Sequence, residues 1–336
     1  MSNSSHGHDI VVVGASAGGV EALRELVAGL PAELPAAVFV VLHIPPNAPS
    51  ALPMILDRAG PLPAVTAEDR MPIKRGHIYV APPNRHLLVH AGHTALRAGP
   101  RENSARPSVD VLFRSAARSY GARVVGIVLS GTLHDGALGL AAVKMRGGVT
   151  IVQDPDEALF PGMPRSALST GPIDYCLRAR DIPARLDELS MHTLTAPEPL
   201  AMQNSNSEPN EPMTYAADEP DARGSPKLHN AASGFTCPEC HGSLWELREG
   251  DSLRFECRVG HTYSLDALVV EQGDAVEAAL WSAVNALKER AAVQRRIANT
   301  DRRNTGAHAE RAELTEQQAG ALLDLLRRLI ADGAVG

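Results

Sequence analysis

Ile10-Val11-Val12-Val13 runs into Gly14-Ala15-Ser16-Ala17-Gly18-Gly19, and Val20, Leu23, Leu26, Val27 and Leu30 follow at helical spacing with Glu21, Arg24 and Glu25 between them. Four β-branched residues in a row read as a strand buried on both faces, and the apolar stripe after them reads as a helix packed back on it. A strand, a glycine-rich turn and a helix in that order open a parallel α/β unit. The pattern recurs downstream, with strands expected at Val38–Leu42, His77–Val80, Val124–Leu129, Val149–Val152 and Ile173–Leu177, and helices at Ser108–Ser119 and Ala137–Met145. His86–Arg97, centred on Ala91-Gly92, reads as a β-hairpin inserted among them. The expected fold class is α/β, a doubly wound and mostly parallel sheet with an inserted hairpin.

Composition narrows the functional classes. The 336 residues are 44% hydrophobic, 21% charged and 4% aromatic, which suits a soluble protein with a full core and rules out a fibrous or wholly disordered chain. Lys plus Arg minus Asp plus Glu is 18 − 17 = +1 over residues 1–190 and 14 − 22 = −8 beyond, so neither half carries the positive excess of a nucleic-acid binder. No apolar run approaches the ~20 residues of a membrane span. Met1–Asp9 is too short and polar for a signal peptide, and a cytoplasmic location is expected.

Ser16 admits three readings. A dinucleotide fingerprint needs glycine where Ser16 stands and an acidic residue ending the second strand, where His43 sits instead. A helix N-cap would use the hydroxyl to satisfy free N–H groups, although the glutamate or glutamine that completes a capping box is replaced by Gly19. A nucleophile elbow would use Gly14 and Gly18 to permit a sharp turn that exposes the hydroxyl beside backbone N–H groups.

A serine nucleophile needs a base, and the base needs an orienting carboxylate. His43 ends the second apolar strand and Asp135 lies just beyond Val124–Leu129, so Ser16, His43 and Asp135 share the carboxyl-end rim where open α/β sheets place their sites. Asp135 also suits a helix N-cap, and His134 is a rival base. His43 is preferred because His134 would require one short loop to supply both base and orienter.

Together these segments resemble the catalytic domain of CheB-type chemotaxis protein-glutamate methylesterases. The likeness runs from about Ile10 to Leu189. It rests on Val13–Gly19, Val41-Leu42-His43-Ile44-Pro45, Ile78-Tyr79-Val80-Ala81-Pro82-Pro83, Arg106-Pro107-Ser108-Val109-Asp110-Val111-Leu112-Phe113, Leu129-Ser130-Gly131 with Asp135-Gly136, and Gln153-Asp154-Pro155 followed by Gly162-Met163-Pro164-Arg165-Ser166-Ala167. The resemblance implies a Ser16, His43, Asp135 triad that hydrolyses glutamate γ-methyl esters on chemoreceptor-type proteins through an acyl-enzyme, releasing methanol, with glutamine deamidation as a related reaction. Catalysis would need no cofactor. The backbone N–H groups of Ala17 and Thr132 are the candidate oxyanion donors. Ala17 stands where the family often has threonine and Thr132 where it often has methionine. Nine residues precede the first strand, so control is expected from the C-terminal portion or a separate regulatory or receiver protein. Two alternatives stand beside this reading: a non-catalytic chemosensory adapter, and a general serine acyl-hydrolase on small esters. Arg101 and Arg106, around Gly99-Pro100, could meet an acidic receptor helix.

The catalytic domain is expected over 9–190, followed by a polar, proline-rich linker at 191–233 that has too little apolar surface to order itself. Cys237-Pro238-Glu239-Cys240 and Cys257-Arg258-Val259-Gly260-His261 then give two ligand pairs separated by two short strands' worth of chain. This resembles a zinc ribbon over 234–264, with Cys237, Cys240, Cys257 and His261 filling a closed structural site and His241 as a substitute for His261. A redox Cys-x-x-Cys is the rival, and it would leave Cys257 unexplained. Cys176, in an expected strand, is read as a buried thiol. A helical hairpin tail is expected over 265–332, with Leu265, Leu268, Val269, Val276, Leu280, Val284 and Leu287 facing Leu322, Leu325, Leu326 and Leu329.

Overall fold

The computed structural model describes residues 7–45, 50–192, 194, 232–249, 252–300 and 305–333. Most of the expected linker, 195–231, lies outside the described residues. The chain divides into two compact units, 1–268 and 269–336.

Seven strands form the central sheet of the first unit: β1 (Ile10–Ala15), β2 (Ala37–Leu42), β3 (Ala64–Thr66), β4 (Ile78–Val80), β7 (Val124–Val128), β8 (Val149–Gln153) and β9 (Tyr175–Leu177). Their order is β3-β4-β2-β1-β7-β8-β9, and every pairing is parallel. The chain builds outward from β1 in one direction through β2 and in the other through β7, so the strand order reverses beside β1. Crevices for ligands open at such switch points.

Side-chain alternation explains why β1 is apolar throughout. Val11, Val13 and Ala15 join one core with helices α1 (Gly19–Ala28), α2 (Leu52–Ala59) and α6 (Ile182–Met191), while Ile10 and Val12 join the other with α3 (Val109–Tyr120), α4 (Ala137–Met145) and α5 (Gly162–Thr170). The sheet is therefore wound on both faces. The hairpin is present as β5 (His86–His90) and β6 (His93–Arg97), pairing antiparallel around Ala91-Gly92 and covering α3 through Leu87 and Val89.

One expectation for this unit is corrected. Cys176 is exposed, because β9 is the outer strand of the sheet and its middle residue turns away from the core.

A second, antiparallel sheet of four strands follows in the same unit: β10 (Ala232–Thr236), β11 (Ser243–Glu249), β12 (Ser252–Cys257) and β13 (Thr262–Ser264). Its small core holds Leu244, Phe255, Tyr263 and Leu268 around the cysteines.

Helices α7 (Leu265–Thr300) and α8 (Thr305–Gly333) supply the second unit. Its buried seam is largely alanine: Val284, Ala291 and Ala298 on α7, and Ala312, Thr315, Ala319 and Leu326 on α8, spaced at sevens with steps of three and four. Arg295 and Glu316 pair across it at 2.5 Å. Val269, Val276, Leu325 and Leu329, expected in the stripe, are exposed, as is Leu265 in the first unit. Val284 and Leu326, also expected in the stripe, are fully buried in the seam, and alanines fill most of the rest, since small residues let helix backbones approach closely.

Candidate active site

The three sequence-predicted residues follow neighbouring parallel strands at the carboxyl end of the sheet, and the side chains of His43 and Asp135 meet there. Ser16 follows β1 directly, His43 follows β2, and the His43 N–H donates to the Ala15 carbonyl at 3.1 Å, setting the two strand ends side by side. Asp135 lies in the loop between β7 and α4. Its Oδ2 is 2.8 Å from His43 Nε2, so Nδ1 is the ring nitrogen left for other partners.

Ser16 is not a helix cap. The N-cap of α1 is Gly18, in the left-handed region at φ 68°, and it has no side-chain cap; only the Ser16 carbonyl reaches back, to the Gly19 N–H at 2.9 Å. The turn is clamped from β7's loop: the Ser16 N–H donates to the Ser130 carbonyl at 2.9 Å, and Ser130 Oγ donates to the Ala17 carbonyl at 2.8 Å. Ser130 is itself held by its N–H to Gln153 Oε1 at 2.7 Å. Gly131 must lack a side chain here, since a Cβ would lie 2.9 Å from Ser16 Cβ and 2.1 Å from Met163 Sδ. Ala17 is half-buried in the turn after β1 and Thr132 is exposed in the loop after β7.

Asp135 does not cap its own helix either. The N-cap of α4 is Gly136, without a side-chain bond. The carboxylate instead caps α3 from outside: Oδ2 accepts the Val109 N–H at 2.6 Å, and Oδ1 accepts the Asp110 N–H at 3.1 Å and the Ser108 hydroxyl at 3.0 Å. Asp110, inside α3, returns the arrangement by accepting the Gly136 and Gly139 N–H groups at 3.1 and 2.6 Å. Each helix start thus holds the other's carboxylate, where the positive end of the helix dipole favours negative charge. Asn103 spans the two, its amide donating to Asp110 Oδ2 at 2.9 Å and to Asp135 Oδ1 at 3.1 Å.

These contacts decide which carboxyl is charged. Burial by itself would raise Asp135, which is 2% exposed, but the hydrogen bond and charge of His43 and the donors Val109 and Asn103 outweigh it and hold the group below the ordinary carboxylate range. Asp110 goes the other way, pushed up to about 7 by burial and then by the Asp135 charge beside it. An ionised Asp135 facing an imidazole is what an orienting carboxylate requires.

The rival base does not compete for this carboxylate. His134 has a buried Nδ1 without a hydrogen-bond partner. Arg106 donates to Asn84 Oδ1 at 2.9 Å and to the Gly99 carbonyl at 2.7 Å, and Arg101 lies 3.9 Å from Glu239. Sequence reasoning missed Asn103, Ser108, Asp110, Ser130 and Gln153 as supports. Four of them stood inside the quoted motifs; Asn103 did not, and nothing local marks it.

Cys237, Cys240, Cys257 and His261 come together, with one ligand atom from each within 4.8 Å of all the others. Their separations include 3.5 Å from Cys240 Sγ to Cys257 Sγ, and 3.7 and 3.5 Å from His261 Nδ1 to the Cys237 and Cys257 sulfurs. A tetrahedron with metal–sulfur bonds of about 2.3 Å has edges of roughly 3.8 Å, which these match. His261 Nε2 lies 3.5 Å from a Glu239 carboxylate oxygen. His241 is outside this group.

The first part of the chain is similar to known proteins. The sequence model of the CheB methylesterase family matches residues 11–186. A Hydrogenovibrio crunogenus protein named protein-glutamate methylesterase/protein-glutamine glutaminase is 38% identical over 187 residues, 54% of this chain and 50% of that one. A Leptospira interrogans protein whose name carries the same two activities is 36% identical over 188 residues, 56% of this chain and 97% of that one. The crystal structure of the Thermotoga maritima CheB methylesterase catalytic domain superimposes with a TM-score of 0.53 at 36% identity, covering 54% of this chain and 98% of that one.

Proposed function

The chain belongs to the CheB methylesterase family, and we propose that it is a protein-glutamate methylesterase, with glutamine deamidation as a second acyl transfer, working on methylated chemoreceptor-type proteins. The observation that carries the reading is the 2.8 Å contact between His43 Nε2 and the buried, ionised Asp135 at the strand end beside Ser16.

In this reading Ser16 Oγ attacks the γ-carbonyl carbon while His43 Nδ1 takes the hydroxyl proton. Asp135 holds the ring and stabilises the imidazolium that forms. As the tetrahedral intermediate collapses, the bond from the γ-carbon to the methoxy oxygen breaks and the leaving oxygen takes that proton from His43, releasing methanol and leaving the acyl group on Ser16. Water, deprotonated by His43, then attacks the acyl-enzyme and returns Ser16. For a glutamine side chain the leaving group is ammonia and the remaining steps are the same. The N–H groups of Ala17 and Thr132 are assigned to the developing oxyanion, each such donor contributing ~3 kcal/mol of transition-state stabilisation. The tight Ser130–Gly131–Met163 packing suits this role, because preorganised donors need no rearrangement during reaction.

The Cys/His cluster is assigned a structural zinc ion, because four protein ligands leave no open coordination position. No metal takes part in ester cleavage in this account. The division into a catalytic domain, a ribbon over 234–264 and a helical tail is part of the same proposal, as is a cytoplasmic location. Among the described residues no helix is long and apolar enough to cross a membrane.

Methanol release from methylated receptor fragments tests the reading. Wild type should release it and Ser16→Ala should not. No release by wild type would favour an adapter, and equal turnover of a generic small ester would favour a general acyl-hydrolase.

A further inference from the structure

The Cys/His module touches the esterase where the catalytic carboxylate is held. Strand β13 lies alongside the loop before α3: the Asn103 N–H donates to the Thr262 carbonyl at 2.8 Å, and the Thr262 N–H reaches the Arg101 carbonyl at 3.4 Å. The Ser264 N–H donates to Asn103 Oδ1 at 3.0 Å. Thr262, Ser264 and Asn103 are all buried. Gly260 packs so closely on Pro100 that a Cβ there would lie 2.8 Å from Pro100 Cγ, and Arg101 meets Glu239 at the edge of the contact. Glu102 between them forms a buried two-pronged ion pair with Arg114 of α3, at 2.5 and 2.6 Å.

Asn103 therefore spends its side chain completely on three neighbours. Its oxygen accepts from the ribbon, and its two amide hydrogens go to Asp110 and Asp135. An amide fixed at its oxygen end has its donors aimed, whereas a free one rotates about χ2. Ser264 stands three residues after His261, so the distance from cluster to triad is one short strand and one side chain.

We infer that the Cys/His module is a working part of the hydrolytic site: β13 holds Asn103, and Asn103 is a positioning residue that aims Asp135 at His43. The module thereby sets the turnover of the esterase, and loosening it lowers activity without touching substrate. This rests on the triad reading above, so its test must fail separately.

The test uses the full chain. Asn103→Ala removes both ends of the link. Ser264→Pro removes the ribbon's donor together with the hydroxyl that caps Ala267, and Ser264→Ala keeps that donor while losing the same hydroxyl. Ser264→Pro and Asn103→Ala should each lower kcat on the order of tenfold or more with KM little changed, because a misaimed catalytic group slows chemistry rather than binding. Ser264→Ala should stay near wild type. In the double variant Ser264→Pro should cost nothing further, since both changes break one path. The downfield proton resonance of the His43–Asp135 hydrogen bond should shift or vanish in the same variants and stay in Ser264→Ala.

Wild-type kcat and an unchanged resonance in Ser264→Pro would overturn the inference, as would a loss that simply multiplies with that of Asn103→Ala. Should Ser264→Pro not fold, Gly260→Ala, which drives a Cβ into Pro100, carries the same expectations. Hydrolysis that survives Ser16→Ala sinks the triad instead, and the resonance still judges the Asn103 link without any substrate.

Discussion

Asp135 meets His43 through Nε2 and, with its other contacts, caps a helix it does not belong to. A carboxylate held by Ser108, Val109 and Asp110 at the start of α3 together with Asn103 fixes the imidazole it faces in both ring orientation and tautomer, with the Nε2 proton donated to Asp135 and Nδ1 left as the acceptor. Asp135→Asn presents an amide to the same ring and disturbs that assignment. We expect kcat to fall by about 10³–10⁴-fold with KM nearly unchanged. A loss under tenfold, measured by methanol release, would mean the imidazole is oriented by something else.

Gly131 lies so close to the nucleophile that an added Cβ would meet Ser16 Cβ at 2.9 Å. The Met163 thioether can move out of the way of an added methyl, but Ser16 Cβ cannot without shifting the turn. Gly131→Ala should therefore slow turnover while destabilising the fold by only about 1–3 kcal/mol. Denaturant midpoints and kcat measured together check this; unchanged turnover would show that the Ser16 turn tolerates displacement.

Buried His86 gives the fold a pH dependence. Its Nε2–H donates to the Pro100 carbonyl at 2.8 Å and its Nδ1 accepts the Ser108 N–H at 3.2 Å, so only the neutral ring satisfies both. Burial pulls its pKa below 6.5, against the raising effect of the Pro100 bond. The unfolded chain binds that proton more readily than the folded one, so the contribution is complete above 6.5 and is lost as pH falls from there toward the depressed folded value. The thermal midpoint of wild type should drop between about pH 7 and about pH 5 more steeply than that of His86→Gln. Parallel pH curves would contradict the assignment.

Metal analysis of protein purified without chelator should find about one zinc per chain. Cys240→Ser and Cys257→Ser should lose it, while His241→Ala should retain it because His241 lies outside the four-residue group. Zinc retained by Cys257→Ser, or lost from His241→Ala, would reassign the ligands.

Much of this was legible because it is local. The apolar run of β1, the Ala91-Gly92 turn and the position of His43 and Asp135 just past strand ends are written in a few adjacent residues. The two pairs at 237–240 and 257–261 were legible for the same reason. Other features depend on what lies across the fold. Strand β3 is three residues long, too short for alternation to register. Asn103 is a polar residue in a loop, and its meaning comes from Asp110, Asp135 and Ser264, the last 161 positions away. Cys176 looked buried because a strand's sequence does not say whether it sits at the edge of its sheet. In the tail the stripe holds at Val284 and Leu326, whereas the buried Ala291, Ala298, Ala312 and Ala319 carry too little apolar surface to stand out in the sequence.

The central claim is that Ser16 becomes esterified. Wild type mixed with a γ-methyl-glutamyl receptor peptide, quenched within the first turnover and digested, should yield the Ser16-bearing peptide with the mass of the acyl group added, and the adduct should be absent from Ser16→Ala. Methanol released with no such adduct at any time, or an adduct mapped to another residue, would contradict the account.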